Sequence, residues 1–255
     1  MNLSEYRNST NERKRTDDLL SLMPASGKAA LDVGARDGHF SLLLAQRFDK
    51  VVALDLEKPF VSHPKVECVQ GNAADLAFAD ASFDFVFCAE VLEHIPSGIL
   101  AAVCRELERV CGGRLLIGVP YRQDLRAGRT TCQACGGKNP PWGHVNSFDE
   151  RRLAGLFPRC TIEATTFVGR STEQTNALSC ALMDLAGNPY GTYVQEEACI
   201  HCGAAVGPAP ERNLGQKVLT KLAFFARDAT AMFATPRGNW IHVLLSRRGA
   251  PQAGG

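Results

Sequence analysis

The sequence has little charge imbalance and no long apolar run. Its 28 lysine and arginine residues nearly match its 27 aspartate and glutamate residues, so the formal net charge is +1. This balance argues against a general nucleic-acid binder, which needs a basic surface facing the phosphates. No segment reaches the roughly 18 apolar residues of a membrane-spanning helix, and the polar N-terminus lacks the apolar run of a signal peptide. We therefore expect a cytoplasmic protein without a transmembrane segment.

The composition is that of a globular protein. With 255 residues, 45% of them hydrophobic, the chain can form one α/β domain and a small satellite module. Six of its ten cysteines stand alone, mostly in apolar stretches, and are expected to be small buried side chains: Cys68, Cys88, Cys104, Cys111, Cys160 and Cys180. The other four form two C-x-x-C pairs, which in a reducing compartment indicate metal or redox chemistry.

Apolar runs and helical repeats alternate along most of the chain. Strands are predicted at 29–34, 50–56, 65–70, 83–88, 114–119, 160–168 and 240–246, and helices at 12–23, from Phe40 to Phe48, and at 98–111, 149–157 and 213–233. Such an alternation predicts a parallel sheet covered by helices on both faces. The pattern stops in two irregular stretches, 121–147 and 171–212, and in a tail at 249–255 that we expect to be disordered.

The segment LDVGARDGHFS, residues 31–41, has the pattern of a ligand-binding turn. A strand ends near Asp32, Gly34 permits a tight turn, and Gly38 lets the next helix begin close to a ligand. Asp55 ends the second strand, 23 residues after Asp32. A carboxylate at this place can accept hydrogen bonds from two ribose hydroxyls.

These motifs resemble the class I methyltransferase superfamily over about residues 28–120. The resemblance implies S-adenosylmethionine as cofactor and a doubly wound, seven-stranded, mostly parallel sheet with one antiparallel C-terminal strand. It also implies a set of cofactor-binding residues: Asp32, Gly34, Arg36, Gly38, Phe40, Asp55, Leu56, Asn72, Ala73 and Glu90. The sequence departs from the family pattern at Arg36, where a glycine is usual, and at Asn72, where an aspartate is usual. The run FDFVFCAEVLEHIP resembles the family's fourth strand and the turn after it, and nicotinamide-dependent enzymes do not usually carry it.

Glu90, Glu93 and His94 form a candidate catalytic cluster. Their i, i+3, i+4 spacing would place them on one face of a helical turn, where His94 could act as a base for a hydroxyl acceptor. With His144, the cluster resembles the divalent-metal site of ubiquinone-pathway and small-RNA O-methyltransferases. The alternative is that the segment is only a structural turn. His144 itself could belong to the catalytic side, to the cysteine pairs, or to neither.

The pairs Cys132–Cys135 and Cys199–Cys202 each lie just before a glycine and resemble zinc knuckles. Together they supply the four thiolates of a closed, structural zinc site. Redox-active pairs and unrelated surface thiols are the alternatives. The 64-residue step from Cys135 to Cys199 is longer than in an ordinary zinc ribbon, but both pairs fall in the irregular stretches, where a metal-stapled insertion is expected.

These features predict a domain organisation and a function. Residues 1–120 form the cofactor-binding core, 121–147 and 171–212 a zinc module, and 148–170 and 213–248 the rest of the methyltransferase domain. We expect methyl transfer to a small-molecule or glycan acceptor, preferably at oxygen, in secondary metabolism or polysaccharide synthesis, by a monomer or homodimer. An RNA methyltransferase and a non-catalytic binding protein are the alternatives.

Overall fold

The computed structural model describes residue 7 and residues 9–189, 198–207, 211–231 and 234–248. The chain forms two compact units. The first, here called the sheet unit, comprises residues 1–121, 148–169 and 238–255. The second, the cysteine unit, comprises residues 122–147 and 170–237.

The sheet unit is built on seven strands. They are β1 (Gly27–Val33), β2 (Phe48–Asp55), β3 (Val66–Gln70), β4 (Phe83–Ala89), β5 (Cys111–Pro120), β8 (Cys160–Val168) and β9 (Trp240–Arg247), with β6 and β7 in the cysteine unit. Their order across the sheet is β3-β2-β1-β4-β5-β9-β8. The strands from β3 to β5 pair in parallel, whereas β9 pairs antiparallel with both β5 and β8. The predicted seven-stranded sheet with one antiparallel C-terminal strand is therefore confirmed.

Within the described residues, four helices belong to this unit: α1 (Thr10–Leu22), α2 (His39–Leu44), α3 (Ser97–Val110) and α4 (Glu150–Leu156). Ser9 caps α1, since its hydroxyl accepts a hydrogen bond from the Glu12 amide. The prediction of a helix reaching Phe48 is wrong, because α2 ends at Leu44 and Phe48 begins β2. Its ring is 1% exposed and stacks on Phe85, so core packing, not helical spacing, decides its place.

Alternate residues of the central strands supply two apolar clusters, one for each face of the sheet. One cluster combines Leu31 and Val86 with the buried face of α3, including Leu107. The other combines Ala30 and Phe85 with side chains that include Leu19 of α1. Helices thus contribute to both faces, as in a doubly wound fold. Of the six single cysteines, four are buried, at 88, 104, 111 and 160, and two are half-buried, at 68 and 180.

The cysteine unit contains two short strands, β6 (Thr130–Thr131) and β7 (Lys138–Asn139), a 3-10 turn (Pro141–Gly143), and two helices, α5 (Ala177–Leu185) and α6 (Leu214–Ala231). In the described residues, none of the helices is long and apolar enough to cross a membrane. The tail at 249–255 and the predicted helix residues 232–233 lie outside the described part of the chain.

Two expectations about this region are corrected. The stretch 171–212 is not irregular throughout, because α5 forms within it. Its N-terminus has a capping box, in which the Asn176 side chain accepts from the Ser179 amide and the Ser179 hydroxyl accepts from the Asn176 amide. The predicted last helix, α6, packs against α5 and so belongs to the cysteine unit, not to the sheet unit.

Candidate functional site

The turn after β1 has the geometry that its two glycines require. Gly34 has φ +78°, and an added Cβ would lie 2.2 Å from Cγ2 of Val91. Gly38 has φ +75° and is the residue before α2. At Gly34 a side chain would therefore be both strained and obstructed. The backbone of this turn is fixed to β2, because the Gly34 amide donates to the Leu54 carbonyl at 2.8 Å.

Asp55 lies at the end of β2, where the sheet presents the carboxyl ends of its central strands. Each of its carboxylate oxygens accepts a backbone hydrogen bond: Oδ2 from the Arg36 amide at 2.8 Å, and Oδ1 from the Leu56 amide at 2.7 Å. These bonds fix the carboxylate beside the glycine turn. Arg36 has φ +49°, so it adopts the left-handed conformation that glycine adopts without strain.

Asp32 is 2% exposed and faces the protein interior. The Ser41 hydroxyl of α2 donates to its Oδ2 at 2.5 Å. Burial, together with the charges of Asp55 and Asp37, raises the pKa of Asp32 to about 7 and outweighs the lowering effect of the Ser41 hydrogen bond. The hydrogen bond between Ser41 and Asp32 thus ties α2 to β1.

Asn72 and Ala73 lie in the loop after β3. The Asn72 side-chain oxygen accepts from the Ala74 amide at 2.9 Å, which forms an Asx turn, and its side chain is exposed. Ala73 is buried. The loop is held by Arg109 of α3, whose guanidinium donates to the carbonyls of Leu76 and Phe78. These hydrogen bonds hold the loop after β3 in one conformation, which is suited to contact with the edge of a planar ligand.

The segment after β4 forms a turn, not a regular helix. The His94 amide donates to the Val91 carbonyl at 3.0 Å, and Glu90 begins the turn with φ +57°. Glu93 is 0% exposed, and among the described residues neither of its carboxylate oxygens has a hydrogen-bond partner. Burial, reinforced by the charge of Glu90, holds the pKa of Glu93 well above its usual range. His94 is exposed, and one of its ring nitrogens lies within 4.8 Å of a Glu93 carboxylate oxygen.

Glu90 faces a charged group that the sequence did not indicate. Its Oε1 lies 3.6 Å from Nη1 of Arg15. Arg15 is 4% exposed, and its Nε and Nη2 donate to the two carboxylate oxygens of Glu12 at 2.8 and 2.6 Å. Its guanidinium carbon lies 5.8 Å from the centre of the Phe40 ring and 5.9 Å from that of Trp240. A buried, charged cluster from α1 thus borders the predicted cofactor residues Phe40 and Glu90.

Sequence reasoning missed Arg15 because it lies within the NERKRTDD run, which has the pattern of an exposed helix surface. The one available signal was the spacing of Glu12 and Arg15, which suits an ion pair on a helix. Leu56 is 67% exposed, and Phe40 is half-buried with its ring centre 4.7 Å from that of Phe87. The predicted cofactor residues therefore lie at or just after the carboxyl ends of β1, β2 and β3, in the first turn of α2, and at the start of the turn after β4.

His144 lies in the cysteine unit. It is 7% exposed, its Nδ1 lies 2.6 Å from Oε1 of Gln123, and its ring centre is 5.7 Å from that of Trp142. His144 is not part of the four-cysteine cluster. Its assignment to the catalytic side stays a prediction.

The four paired cysteines meet in the cysteine unit. All four sulfur atoms lie within 4.8 Å of one another, with Cys132 Sγ 3.8 Å from Cys202 Sγ and Cys135 Sγ 3.7 Å from Cys199 Sγ. Metal–sulfur bonds of about 2.3 Å in a tetrahedron put sulfur atoms about 3.8 Å apart. These separations are far longer than the roughly 2.05 Å of a disulfide bond. The cluster therefore has the dimensions of a four-thiolate metal site.

The two knuckles have the same backbone hydrogen bonds. In the first, the Cys132 amide donates to the Gly137 carbonyl and the Gly136 amide to the Cys132 carbonyl. In the second, the Cys199 amide donates to the Ala204 carbonyl and the Gly203 amide to the Cys199 carbonyl. Gly136 and Gly203 both have positive φ, 71° and 74°. A repeated turn of this kind directs two thiols to one point.

Backbone amides also face the sulfur atoms. The Gly137 amide donates to Cys135 Sγ at 3.3 Å, and the His201 amide to Cys199 Sγ at 3.5 Å. Burial alone would raise the pKa of Cys199, but the amides of His201 and Cys202 outweigh it and lower this pKa to about 6. Hydrogen bonds of this kind stabilise thiolates, which are the form that binds metal.

Comparison with known proteins relates the central part of the chain to methyltransferases. Residues 31–117 match the family model described as a methyltransferase domain. The chain is 33% identical over 113 residues to the Mycobacterium tuberculosis protein named "Probable S-adenosylmethionine-dependent methyltransferase", covering 42% of this chain and 40% of that protein. It is 32% identical over 119 residues to the ubiquinone biosynthesis O-methyltransferase of Xylella fastidiosa, covering 42% and 48%. The chain thus spans less than half the length of these curated relatives.

A chain in the solved complex between the Haloferax volcanii Trm112 methyltransferase activator and a methyltransferase shares the fold. Its TM-score is 0.53 at 12% identity, and the match covers 97% of this chain and 93% of that one. At this identity the likeness shows the fold alone. The family match falls on the part of the chain that contains the glycine turn, Asp55 and the turn after β4. Residues 31–117 therefore match a methyltransferase domain, and the Mycobacterium tuberculosis relative is named as an S-adenosylmethionine-dependent methyltransferase.

Proposed function

We propose that the protein transfers a methyl group from S-adenosylmethionine to an acceptor. The observation that carries the proposal is the Asp55 carboxylate at the end of β2, held by the amides of Arg36 and Leu56 beside the glycine turn. When bound, the cofactor supplies an electrophilic methyl group on a sulfonium, and displacement of that group needs mainly alignment of the acceptor.

The predicted cofactor residues then have separate tasks. Asp55 accepts hydrogen bonds from the ribose hydroxyls, and the turn from Gly34 to Gly38 lies against the amino-acid part. Asn72 and Ala73 contact the adenine, for which the Asn72 amide group can donate while its oxygen holds the Asx turn. Glu90, next to Arg15, lies at the edge of the same group of loops.

Equilibrium binding tests this assignment directly. Asp55→Asn should weaken S-adenosylmethionine binding by about tenfold or more, because a charged acceptor of two hydrogen bonds is lost. Asp49→Asn, an exposed position on the same strand, is the matched control and should bind as the parent does. Calorimetric titration with S-adenosylmethionine and with S-adenosylhomocysteine measures both. Equal affinities for the two variants would contradict the proposed site.

We further propose that the acceptor is a small molecule or a glycan and that the acceptor atom is oxygen. The support is the similarity to the ubiquinone biosynthesis O-methyltransferase and a charge balance unsuited to nucleic acid. We place the reaction in secondary metabolism or surface-polysaccharide synthesis, because the layout of the chain resembles that of bacterial methyltransferases with these roles. Incubation of metabolite extracts with the protein and isotopically labelled cofactor, followed by mass spectrometry, identifies the acceptor by its mass shift. A label found only in RNA would reject this acceptor class.

Glu93 and His94 are the proposed acid–base pair. An imidazole near a buried carboxylate is suited to accept the acceptor's hydroxyl proton. Glu93→Gln and His94→Gln should each reduce turnover by about 100-fold while cofactor binding is retained, since general base catalysis contributes on that scale. His63→Gln, which changes another histidine of the sheet unit, is the control and should keep its activity. Undiminished turnover in Glu93→Gln and His94→Gln would show that the turn is structural.

The metal-dependent version of this site is a separate proposal, in which Glu90, Glu93, His94 and His144 hold a divalent cation that polarises the acceptor hydroxyl. Glu90 already faces Arg15, and the positive charge of Arg15 would compete with the cation for the Glu90 carboxylate. Turnover measured after chelation and after addition of Mg²⁺ or Zn²⁺ decides the question. Full activity in metal-free protein that retains its fold would reject it.

The four-cysteine cluster is the proposed site of a structural zinc ion. Its sulfur–sulfur distances, paired turns and amide–sulfur hydrogen bonds all support a closed tetrahedral shell. Four protein ligands leave no position for substrate, so Cys132, Cys135, Cys199 and Cys202 would stabilise the cysteine unit without taking part in methyl transfer.

A further inference from the structure

The cysteine unit contains a cleft that the proposed functions do not use. Four parts of the chain line it: residues 123–129, 141–142, 173–183 and 223–227. Its wall combines three arginines with large apolar side chains: Arg126, Arg129, Arg227, Trp142, Met183 and Phe224. The acidic residues of the lining are Asp124 and Glu173, so arginines are in excess.

Each arginine of the wall is hydrogen-bonded to a carboxylate. That carboxylate occupies only some of the N–H donors of the guanidinium group. Arg129 donates through Nη2 to Asp184 at 2.9 Å, and Arg227 contacts Oδ1 of Asp228 through both Nε and Nη2, at 2.9 and 2.8 Å. A guanidinium has five N–H donors in a planar fork, so both retain donors for a second anionic group. Asp184 also accepts from Lys138 at 2.6 Å, so this one carboxylate is shared between two cations.

The cleft is held in shape by hydrogen bonds between distant segments. Asp124 accepts from the amide and the hydroxyl of Thr175, at 2.7 and 2.6 Å, and from Nε of Arg126 at 3.0 Å. The Asn176 side chain, next in sequence, donates to the Ala226 carbonyl of α6 at 2.8 Å. Residues near 124, 175 and 226 are thereby fixed together. A site prepared in this way loses little conformational freedom on binding.

Trp142 is the one aromatic residue of the lining with strained backbone geometry. Its φ is +56°, a conformation that bulky residues rarely adopt and that clusters at ligand-binding positions. Its side chain stays 38% exposed. The neighbouring His144 supports it, with ring centres 5.7 Å apart. In this conformation the Trp142 ring is a large apolar surface on the wall of the cleft that remains partly exposed.

From the arginines, the fixed frame and the strained tryptophan, we infer that this cleft binds a small planar molecule carrying one anionic group, a carboxylate or a phosphate monoester. The apolar part packs on Trp142, Met183 and Phe224, and the anion takes the remaining donors of Arg129 and Arg227. The site requires neither S-adenosylmethionine nor methyl transfer.

Tryptophan fluorescence offers a direct test, because the sequence has two tryptophans, Trp142 and Trp240. In a Trp240→Phe background the emission comes from Trp142 alone. Titrations use four probes: phenyl phosphate, benzoate, phenol and inorganic phosphate. Saturable quenching at millimolar or lower concentration by phenyl phosphate or benzoate, and much weaker effects of phenol and inorganic phosphate, are expected. The two anionic probes distinguish a phosphate-bearing ligand from a carboxylate.

Variants identify the location of binding. Arg129→Gln and Arg227→Gln should each weaken the better probe about tenfold, since each removes a charge-assisted hydrogen bond. Arg170→Gln removes the same charge from an exposed position of the same unit and should change nothing. Because Asp228 is exposed, Arg227→Gln should keep its fold even if Arg129→Gln does not. Circular dichroism verifies the fold of each variant.

Two outcomes overturn the inference. One is the absence of saturable quenching by either anionic probe in folded protein. The other is equal weakening by Arg170→Gln and Arg227→Gln, which would indicate general attraction of anions. Because no cofactor is added, these results are independent of whether the protein transfers methyl groups.

Discussion

The sheet unit and the cysteine unit are stabilised by different means. The sheet unit has two large apolar clusters, one on each face of the seven strands. In the described part of the cysteine unit, the hydrophobic cluster consists of Cys132, Cys199 and Val206. Two of those three are thiols of the candidate metal site. Burial of apolar surface can hold the first unit, whereas the described part of the second has little such surface, and we expect the proposed zinc ion to stabilise it.

The largest expected effect comes from breaking the thiol cluster. Cys132→Ser, or removal of the metal by a chelator, should unfold the segments around both knuckles, because a structural zinc contributes on the order of 10 kcal/mol to such folds. Hydrogen exchange should rise in residues 130–139 and 198–206, while β1, β4 and β5 stay protected. Metal content measured by mass spectrometry should fall from about one ion per chain to none.

Cys180→Ser is the control for that experiment. Cys180 lies in the same unit but outside the four-sulfur cluster, so metal content and protection should not change. Loss of metal in Cys180→Ser, or unchanged protection in metal-free protein, would remove the contrast between the two units.

A truncation in the apolar core tests how much burial stabilises the sheet unit. Phe85 is 0% exposed and stacks on Phe48, with ring centres 5.5 Å apart. Phe85→Ala should lower the free energy of unfolding of the sheet unit by about 3–5 kcal/mol through lost burial and a residual cavity. Urea denaturation followed by circular dichroism measures the change. Phe60→Ala, at a side chain that is 96% exposed, should change it by less than about 0.5 kcal/mol.

A buried carboxyl gives the sheet unit a pH dependence. The pKa of Asp32 is raised from 3.8 to about 7, so its stabilising contribution is fully present below pH 3.8 and is lost as the pH rises through about 7. Asp32→Asn should therefore be more stable than the parent at pH 8, by an amount on the order of 1 to 3 kcal/mol. That advantage should shrink toward pH 5. Urea denaturation at the two pH values measures it, and parallel pH profiles of variant and parent would refute the prediction.

The smallest effect is expected at an exposed ion pair of the same sheet. Lys50 and Glu67 lie on β2 and β3, 2.7 Å apart, and their side chains are 60% and 54% exposed. Solvent and salt screen such pairs, so Lys50→Ala should change the free energy of unfolding by less than about 1 kcal/mol. Thermal denaturation at low and high salt measures the change. A larger loss would mean that surface charge contributes to the sheet unit as much as apolar burial does.

Local sequence signals predicted several elements of the fold and site because those elements are set by nearby residues. Alternating apolar runs located all seven strands of the sheet. Gly34 and Gly38 marked positions that take positive φ, and Asp55 was expected at the end of β2, where it lies. The two C-x-x-C pairs were correctly expected to meet, although 64 residues separate them.

Other features depended on contacts that no local pattern contains. Phe48 had helical spacing but begins a strand, because its ring fills the core beside Phe85. The helix α5 was overlooked, although Asn176 and Ser179 have the spacing of a capping box. Asp18 of α1 and His242 of β9 are 224 residues apart, yet Oδ2 and Nδ1 lie 2.6 Å apart.

The sequence by itself determined the strands, the glycine turn, the position of the Asp55 carboxylate and the thiol pairs, since backbone conformation and ligand chemistry are properties of a few neighbouring residues. Only the tertiary structure decided the partners of buried charges. Arg15 and Glu90 come from a helix and a turn 75 positions apart, and their pairing depends on how α1 packs on the sheet. The tertiary structure likewise grouped α6 with the cysteine unit, because helix packing is settled by which apolar faces meet, and not by order along the chain.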